Sequence, residues 1–334
     1  MKTDKLPLQI YNAACKFQLL KDEIKFDFTK ITDGVSSDIW YVKTEKGLEF
    51  CIKRALEKLT VKEDWFAPIN RNNFEAAYFK ACQNIIPNSF PKILGHDDKN
   101  YILAMEWFNP KSYILWKKKL LDMTFEIKDG KTISNILNKK HAYFYNKSNY
   151  KKQFENDKTF FDIRIEPYIL FTAKSYPQHE NYFFNVAKSL VSNKKTVIHG
   201  DFSPKNILIG SDFPVILDAE TACWGDPVFD LAFCNNHIIL KSILNLSNKK
   251  KYMSLSKEFI NSYIDNINWE EKSNLRDRFL KLTPLLILAR LDGKSPIEYY
   301  KDKHIKKARA LSLKILNDKI KDINNLFSIW ESYV

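Results

Sequence analysis

The sequence predicts an α+β fold with two lobes, a small β-rich N-terminal lobe and a larger, mostly helical C-terminal lobe. Its first third alternates short apolar runs with turn residues, whereas helical periodicity dominates the remainder. A chain of 334 residues can also form two lobes with a cleft between them. We expect the N-lobe to span residues 1–107 and the C-lobe to span residues 108–334.

The elements of the N-lobe follow from the spacing of apolar residues. An amphipathic helix is expected at the start of the chain, because apolar side chains recur there on one helical face. A second helix is expected between two groups of strands, and its apolar stripe again has helical spacing. The predicted helices cover residues 8–21 and 72–83, and the predicted strands cover 24–28, 37–42, 48–52, 90–94 and 101–105.

Helical patterns continue through the C-lobe. Between residues 112 and 196 we expect interruptions at Gly130 and Pro177, since these residues disfavour helix interiors. The segment after residue 230 is apolar enough to be a buried helix. The predicted helices cover residues 132–145, 181–191, 230–244 and roughly 253–267, 272–291 and 302–333.

The most informative stretch is residues 197–230, which read VIHGDFSPKNILIGSDFPVILDAETACWGDPVFD. A β-rich lead-in ends at the His-Gly-Asp of residues 199–201, and Asn206 lies five residues after Asp201. Two apolar runs then flank the Gly-Ser-Asp turn of residues 210–212, which predicts a β-hairpin. Asp218 stands at the end of the second run.

This order of residues suits phosphoryl transfer to an alcohol. The reaction needs a carboxylate near the attacking hydroxyl, oxygen ligands for Mg²⁺ and a cation on the phosphates. Asp201 is the candidate for the hydroxyl, and Asn206 and Asp218 are the candidates for Mg²⁺, which prefers oxygen ligands. The alternative is that all three are ordinary turn and capping residues, but the full ordered string favours a site.

A known family carries the same string. HGDFSPKNIL followed by ILDAETACWGDPVFDLA resembles the aminoglycoside phosphotransferase and choline kinase family of the protein-kinase-like superfamily. The resemblance implies a kinase-like fold, ATP and Mg²⁺ as cofactors, and a small-molecule hydroxyl as acceptor. Two departures stand out. Lys205 precedes the Asn where the family often has a small residue. Asp218-Ala219-Glu220 replaces the D-F-G of protein kinases, so a mobile D-F-G switch is not implied.

The N-lobe offers candidate residues for the nucleotide phosphates. Gly34, Ser36 and Ser37 lie in a turn between strands, where backbone N–H groups and hydroxyls can contact phosphate, although an ordinary hairpin would look the same. Lys53 alternates with Cys51 in the third strand, so both side chains should lie on the face opposite Ile52.

The resemblance assigns further N-lobe roles. It implies that a strand lysine binds the α- and β-phosphates and pairs with a helix glutamate, which Lys53 and Glu75 match in order and separation. Arg54 competes with Lys53, and Glu75 could simply favour a helix N-terminus. The backbones of Glu106 and Phe108 occupy the position that contacts adenine in kinase-like folds.

Other residues leave two readings open. His199 is expected to bond backbone near the metal site rather than to act in catalysis, and Asp226 and Asp230 to cap the next helix and brace the loop. Lys205 is either a γ-phosphate contact or a solvated lysine.

In the C-lobe, Arg290 could bind an acidic acceptor group and Asp292 an amine, or the two could form an ion pair. Trp224 could stack on an acceptor or lie in the core.

Composition excludes several classes of function. The formal net charge is +13, yet residues 199–230 hold six acids and one base, a balance of −5, which suits a cation site better than a nucleic-acid surface. Five scattered cysteines without a C-x-x-C pair favour a reduced compartment. Neither a leader nor an apolar run of about 20 residues is evident. We therefore expect a cytoplasmic protein without nucleic-acid or membrane partners.

Taken together, the sequence predicts an ATP-dependent phosphotransferase that moves the γ-phosphate to a hydroxyl of an amino alcohol, a sugar or an aminoglycoside-like compound. An aminoglycoside acceptor would call for a strongly acidic pocket, and none is evident beyond the metal cluster. The alternatives are a protein-directed kinase and a nucleotide-binding module without transfer. The first is disfavoured because no activation-loop segment separates Asp218 from the Gly-Asp-Pro of residues 225–227.

Overall fold

The computed structural model describes residues 5–21, 25–32, 36–58 and 66–334. The N-terminal part forms a five-stranded antiparallel sheet with the spatial order β1-β2-β3-β5-β4. Most of the remainder is helical, so the predicted two-lobed α+β class is confirmed. The boundary at residues 107 and 108 stays a prediction. The strands are β1 (Phe26–Ile31), β2 (Ser37–Thr44), β3 (Glu49–Ala55), β4 (Ile93–Asp97) and β5 (Ile102–Glu106).

The sheet is covered on both faces. Helix α1 (Leu8–Lys16) buries Ile10 and Ala14 against one face, in a small core that contains Phe50 and Ile52 of β3. Helix α2 (Arg71–Gln83) lies on the other face, where its apolar side chains join the main core of the protein. Since alternate residues of β3 point to opposite faces, Lys53 points toward α2, as predicted.

The C-lobe is built around one buried helix. Helix α9 (Val228–Leu244) has almost no exposed side chain and packs against α10, α11 and α12. The other helices are α3 (Trp116–Leu121), α4 (Ile127–Phe144), α5 (Ser148–Gln153), α6 (Asp157–Phe160), α7 (Phe171–Ala173), α8 (Glu180–Ser192), α10 (Lys249–Asp265), α11 (Lys272–Asp292), α12 (Asp302–Asp318) and α13 (Ile323–Tyr333), with a π-helical segment at Phe161–Leu170 joining α6 to α7.

Short strands carry the stretch with the motifs. Strand β7 (Thr196–Ile198) pairs with β10 (Cys223–Gly225), and β8 (Ile207–Ile209) pairs with β9 (Pro214–Ile216) and with β6 (Ile114–Leu115). All of these pairs are antiparallel. The hairpin predicted around residues 210–212 is therefore present, with Leu208 opposite Val215.

Three predicted helix boundaries are wrong. Helix α4 runs straight through Gly130 because a side chain there would meet the Leu255 carbonyl oxygen of α10 at 2.9 Å, so the glycine permits close helix packing. Helix α1 ends at Lys16 rather than 21, and Gln18 has a left-handed φ of 60°. The predicted helix 302–333 is two helices, because Lys319 is left-handed (φ 47°) and Asp322 caps α13.

The interruption expected at Pro177 is present as a short 3₁₀ turn before α8. Among the described residues, none of the helices combines the length and the apolar character that crossing a membrane requires.

Candidate active site

The loop that carries Asp201 begins where β7 ends. Gly200 has φ +74°, and a Cβ at this position would lie 2.5 Å from the carbonyl oxygen of Thr221. A residue with a side chain would therefore be strained and would clash with backbone. The close approach fixes the Asp201 loop against the segment that follows Asp218, and the Thr221 hydroxyl adds a 3.2 Å hydrogen bond to the His199 carbonyl.

Asp230, in the first turn of α9, holds this loop from below. Its buried carboxylate accepts the backbone N–H groups of His199 and Gly200 at 2.7 and 2.9 Å, and the Lys140 ammonium lies 3.0 Å away. Burial raises the pKa of Asp230, but Lys140 and His141 lower it by more than burial raises it. The net pKa therefore lies well below the usual value. The carboxylate therefore stays ionised.

Asp201 is buried and surrounded by donors. Arg164 Nη2 lies 2.9 Å from one carboxylate oxygen, while Lys205 Nζ and Asn206 Nδ2 lie 2.8 and 2.9 Å from the other. Burial raises the pKa of Asp201, but Arg164 and Lys205 outweigh it and the net pKa is lowered. An ionised carboxylate has about four acceptor positions, so about one is left for a substrate hydroxyl.

Arg164 was not among the residues predicted from the sequence. It lies in the π-helical segment, is buried, and also donates from Nε to the Gly200 carbonyl at 2.6 Å. The sequence signal was weak, because Arg164 stands between Ile163 and Ile165 but acidic residues follow on both sides, and such an alternation is also typical of a solvated segment. Which carboxylate it would meet could not be known from the sequence.

Asn206 and Asp218 are brought together by the hairpin. The Leu217 N–H donates to the Asn206 carbonyl at 2.8 Å, so Asn206 lies beside the residue that precedes Asp218. His199 Nε2 lies 2.9 Å from the Leu217 carbonyl, which matches the expected backbone contact of this histidine. Asp218 itself has a left-handed φ of 60°, a conformation that Asp tolerates better than most residues and that often marks functional sites.

Lys53 connects the two lobes. Its buried ammonium lies 2.8 and 2.7 Å from the two oxygens of Glu75 and 2.9 Å from Asp218 Oδ1. Burial lowers the pKa of Lys53, but Asp218 and Glu75 raise it above its ordinary value, so the lysine stays charged. The competing Arg54 instead contacts Gln9.

The two carboxylates that contact Lys53 differ in character. Burial raises the pKa of Glu75 to about 7 in spite of the lysine, whereas the pKa of Asp218 is lowered because Lys53 and Lys205 outweigh its burial. The Asp218 side chain is also 31% exposed, while that of Glu75 is 1% exposed. Asp218 can therefore meet a ligand in the cleft, and Glu75 can serve only to hold Lys53.

The turn that contains Ser36 and Ser37 (the serine turn) is connected to the segment that follows Asp218. Buried Arg71 donates from Nη2 to the Ser36 carbonyl at 2.6 Å and from Nε to Glu220, two residues after Asp218, at 3.0 Å. Ser37 is buried, and its hydroxyl has no hydrogen-bond partner among the described residues. Gly34, the third predicted residue of this turn, lies outside the described residues.

Glu106 and Phe108 lie where the sheet ends. The Glu106 N–H donates to the Lys92 carbonyl at 2.9 Å, and the Phe108 ring packs edge-to-face on Tyr113 with centroids 5.0 Å apart. Both residues are half-buried. Their proposed contacts with adenine stay predictions.

The donor set fits Mg²⁺. The Asn206 amide nitrogen donates to the Asp201 carboxylate and carbonyl, which leaves its oxygen for another partner, and Asp218 keeps one oxygen that does not contact Lys53. In the described ranges, no three His, Cys, Asp or Glu side chains come together as a metal cluster. Two protein oxygens suit a Mg²⁺ that takes its other ligands from phosphates and water.

Comparison with known proteins agrees with this geometry. Residues 174–241, which include the Asp201 loop and the hairpin, match the model of the APH family, described as the phosphotransferase enzyme family. The whole fold is similar to an ethanolamine kinase from Plasmodium vivax, at 18% identity over 94% of this chain and 89% of that one (TM-score 0.55). The resemblance to the aminoglycoside phosphotransferase and choline kinase family is confirmed.

Two further structures have a similar fold. A choline kinase from Cryptosporidium parvum Iowa II is 11% identical over 96% of this chain and 98% of that one, with a TM-score of 0.56. The gentamicin complex of APH(2'')-IIa is 10% identical over 99% and 100% of the two chains, with a TM-score of 0.52. Comparison with curated protein sequences finds no match.

The remaining C-lobe candidates take different positions within this fold. Trp224 is buried in β10 and belongs to the core. Asp226 accepts the Val228 N–H at the start of α9 at 3.1 Å and pairs with Arg278 at 2.8 Å, so it caps and braces as expected. Arg290 and Asp292 do not pair with each other, because Asp292 pairs with Arg309 at 2.7 Å.

Replacing Asp230 with Asn tests how the Asp201 loop is held. The change leaves the Lys140 ammonium buried beside a neutral amide, so we expect the free energy of unfolding from urea titration to fall by about 3–5 kcal/mol at pH 7. The pKa of Asp230 is lower in the folded protein than in the unfolded chain. The carboxylate therefore stabilises the fold fully at pH values above its unfolded pKa, and this stabilisation is lost as the pH falls toward the folded pKa. The deficit should therefore shrink in strong acid.

The matched control is Asp318→Asn, which removes a carboxylate from an exposed pair with Lys314. This variant should change the free energy of unfolding by less than about 1 kcal/mol. Equal effects of the two substitutions would contradict the bracing role of Asp230.

Proposed function

We propose that the protein is an ATP- and Mg²⁺-dependent kinase that transfers the γ-phosphate to a hydroxyl of a small molecule. The observation that carries the proposal is the position of Lys53, which contacts Glu75 and Asp218 at once. This arrangement places a fixed cation from the sheet beside the hairpin that holds the oxygen ligands. Such a set is what phosphoryl transfer requires from a protein.

Each residue of the set has a separate task. Lys53 would bind the α- and β-phosphates while Glu75 holds its ammonium in place, and Asn206 and Asp218 would hold Mg²⁺. When bound, Mg²⁺ supplies positive charge to the phosphate oxygens. Ser36 and Ser37 would contact the phosphates, with Gly34 of the same turn, and the backbones of Glu106 and Phe108 would contact adenine.

Asp201 would orient the attacking hydroxyl. Its lowered pKa makes it a weak base, but the loose transition state of phosphoryl transfer demands little proton removal before the phosphate moves. A carboxylate fixed by Arg164 can therefore act mainly by position and can accept the proton late in the step. Lys205, which pairs with Asp201 at 2.8 Å and has a side chain that is 49% exposed, would contact the γ-phosphate from this position.

The acceptor class proposed from the sequence is an amino alcohol, a sugar or an aminoglycoside-like compound. The titles of the similar structures name kinases of ethanolamine and choline and a complex with gentamicin, which supports a small alcohol as acceptor. A protein substrate is disfavoured because residues 219–222 alone separate Asp218 from β10, which leaves no room for an activation segment. A nucleotide-binding module without transfer would not need the geometry around Asp201.

Asp201→Asn tests the transfer step. We expect ATP–Mg²⁺ affinity to stay within about twofold, while turnover in a coupled ADP-release screen of small alcohols falls by roughly 10²–10⁴. Asp212→Asn is the matched control, because Asp212 lies in the exposed turn between β8 and β9. This variant should keep full turnover. Full activity of Asp201→Asn would remove this residue from the mechanism.

Asp218→Ala tests the metal role. Even groups that only orient a metal ligand cost roughly 10–100-fold in metal affinity when they are mutated, so loss of a ligand should weaken ATP binding in the presence of Mg²⁺ by about tenfold or more. Calorimetric titration of ATP with Mg²⁺ and with EDTA measures this difference. If the affinity with Mg²⁺ were the same in the wild type and the variant, Asp218 would not be a ligand.

A further inference from the structure

A cluster of cations lies beside Asp201 in the C-lobe. Arg164, which contacts the Asp201 carboxylate, also places its guanidinium carbon 5.6 Å from the ring of Tyr168. The Tyr168 hydroxyl lies 3.4 Å from Nη1 of Arg290, near the end of α11. A continuous series of contacts therefore runs from Asp201 through Arg164 and Tyr168 to Arg290.

One face of α9 forms the second wall of this cluster. Phe233, His237 and Lys241 follow one another at intervals of four residues and so share a helix face. The Arg164 guanidinium carbon lies 5.4 Å from the Phe233 ring, and the rings of Phe233 and His237 have centroids 5.3 Å apart. Lys241 thus lies two helical turns from the residue that touches Arg164.

Lys241 is a buried cation without an acidic partner. Its relative exposure is 1%, and in the described part of the chain its hydrogen bond is a long one of 3.4 Å to the His237 carbonyl, with no carboxylate in ion-pair range. Burial, together with the neighbouring charges of Lys117 and Arg290, lowers its pKa to about 7. A buried lysine among other cations must therefore either lose its proton or gain an anionic partner, and a bound anion would keep it charged.

Arg290 is also left without a carboxylate. Its Nη1 contacts the hydroxyl of Ser295 at 2.7 Å, whereas its Nε is buried and has no hydrogen-bond partner within the described residues. The nearby Asp292 cannot serve because it pairs with Arg309 and accepts from the Tyr176 hydroxyl at 2.5 Å. The guanidinium therefore keeps donor capacity for a ligand.

Some members of the cluster are partly exposed to solvent. His237 and Arg290 are half-buried, and Lys205 is half-exposed. Burial lowers the pKa of His237, and the charges of Lys241, Arg290 and Lys205 also lower it. A cationic acceptor such as choline would be repelled here, whereas a negatively charged acceptor would neutralise the excess charge.

We propose that Arg290, with the Tyr168 and Ser295 hydroxyls, binds a carboxylate or phosphate group of the acceptor and that buried Lys241 adds positive charge to this region, so that the substrate is an anionic alcohol. The proposal rests on the proposed kinase function and narrows its acceptor. The series of contacts from Arg290 through Tyr168 and Arg164 ends at Asp201, which would accept a hydrogen bond from the acceptor's hydroxyl. Guanidinium is well suited to this task because its planar donors match both anions.

Matched alcohols of different charge test the proposal. The panel is glycerol, glycerate, glycerol 3-phosphate, ethanolamine and choline, assayed by ADP release with Asp201→Asn as the blank. We expect kcat/KM for glycerate or glycerol 3-phosphate to exceed that for glycerol by about tenfold or more, and ethanolamine and choline to be the poorest acceptors. A preference for the cationic alcohols would overturn the anion site while leaving the kinase function intact.

Arg290→Gln removes the guanidinium and should raise KM for the preferred anion by about tenfold or more with a smaller change in kcat, because the group binds substrate away from the reacting atoms. The matched control is Arg309→Gln, an arginine already paired with Asp292, which should leave this KM within about twofold. Lys241→Met, which removes a buried charge without a partner, provides a second variant with the same expected rise in KM. Equal KM values in all four proteins would overturn the proposal.

Binding measured without turnover distinguishes the anion site from the kinase function. Calorimetric titration of glycerate and glycerol 3-phosphate into the wild type and into Arg290→Gln, with and without ADP–Mg²⁺, reports the anion site alone. Binding that is lost in the variant supports the site, and no binding of either anion to a correctly folded wild type overturns it. Failure of ATP–Mg²⁺ to bind in parallel titrations would instead count against the kinase function.

Discussion

The rest of the structure depends on the ion pairs that the buried Lys53 ammonium forms with Glu75 and Asp218. A lysine that is 5% exposed can stay charged only if carboxylates surround it, and here one carboxylate comes from α2 and the other from the hairpin of the C-lobe. The two lobes are therefore joined through a charge that neither could bury alone. Since Glu75 holds the ammonium from the N-lobe side, Asp218 can exchange part of its contact for a metal ion without leaving Lys53 unpaired.

The loops on the C-lobe side are held by buried polar contacts rather than by regular structure. Gly200 and Asp218 both have left-handed backbones, which glycine adopts readily but which cost free energy at Asp218, so the surroundings must impose that conformation there. Asp230 fixes the first loop from α9, and Arg71 ties the segment after Asp218 to the serine turn of the N-lobe. The site thus depends on hydrogen bonds and ion pairs between distant parts of the chain.

The sequence contained enough information for the local parts of this arrangement. The hairpin could be predicted because two apolar runs flank Gly-Ser-Asp, and the face of Lys53 could be predicted because strand side chains alternate. The interruption expected at Gly130 failed for a tertiary reason, since the glycine allows α4 to approach α10 closely. Arg164 was missed because its partner Asp201 is 37 positions away, and no local pattern encodes such a pairing.

The cation cluster was harder still to foresee. In the sequence, Arg290 is a charged residue at the end of a long apolar helix. The sequence leaves open whether this arginine binds an acidic acceptor group or forms an ion pair with Asp292. The structure pairs Asp292 with Arg309 and leaves Arg290 beside Tyr168 and Ser295, which only the packing of α11 and α12 could decide. Lys241 gave no signal of its own, because a lysine in the last turn of a helix is ordinarily a solvated residue near the negative end of the helix dipole.

The most direct test of the central claim is a double-mutant cycle on ATP–Mg²⁺ affinity with Lys53→Met and Asp218→Asn, measured by calorimetry. If both side chains act on one nucleotide–metal group, the two losses should be non-additive, with a coupling free energy of about 1 kcal/mol or more. Additive losses would show that the two side chains act independently and would contradict the shared centre, and unchanged affinity in both single variants would show that their contact is structural and that the nucleotide binds elsewhere.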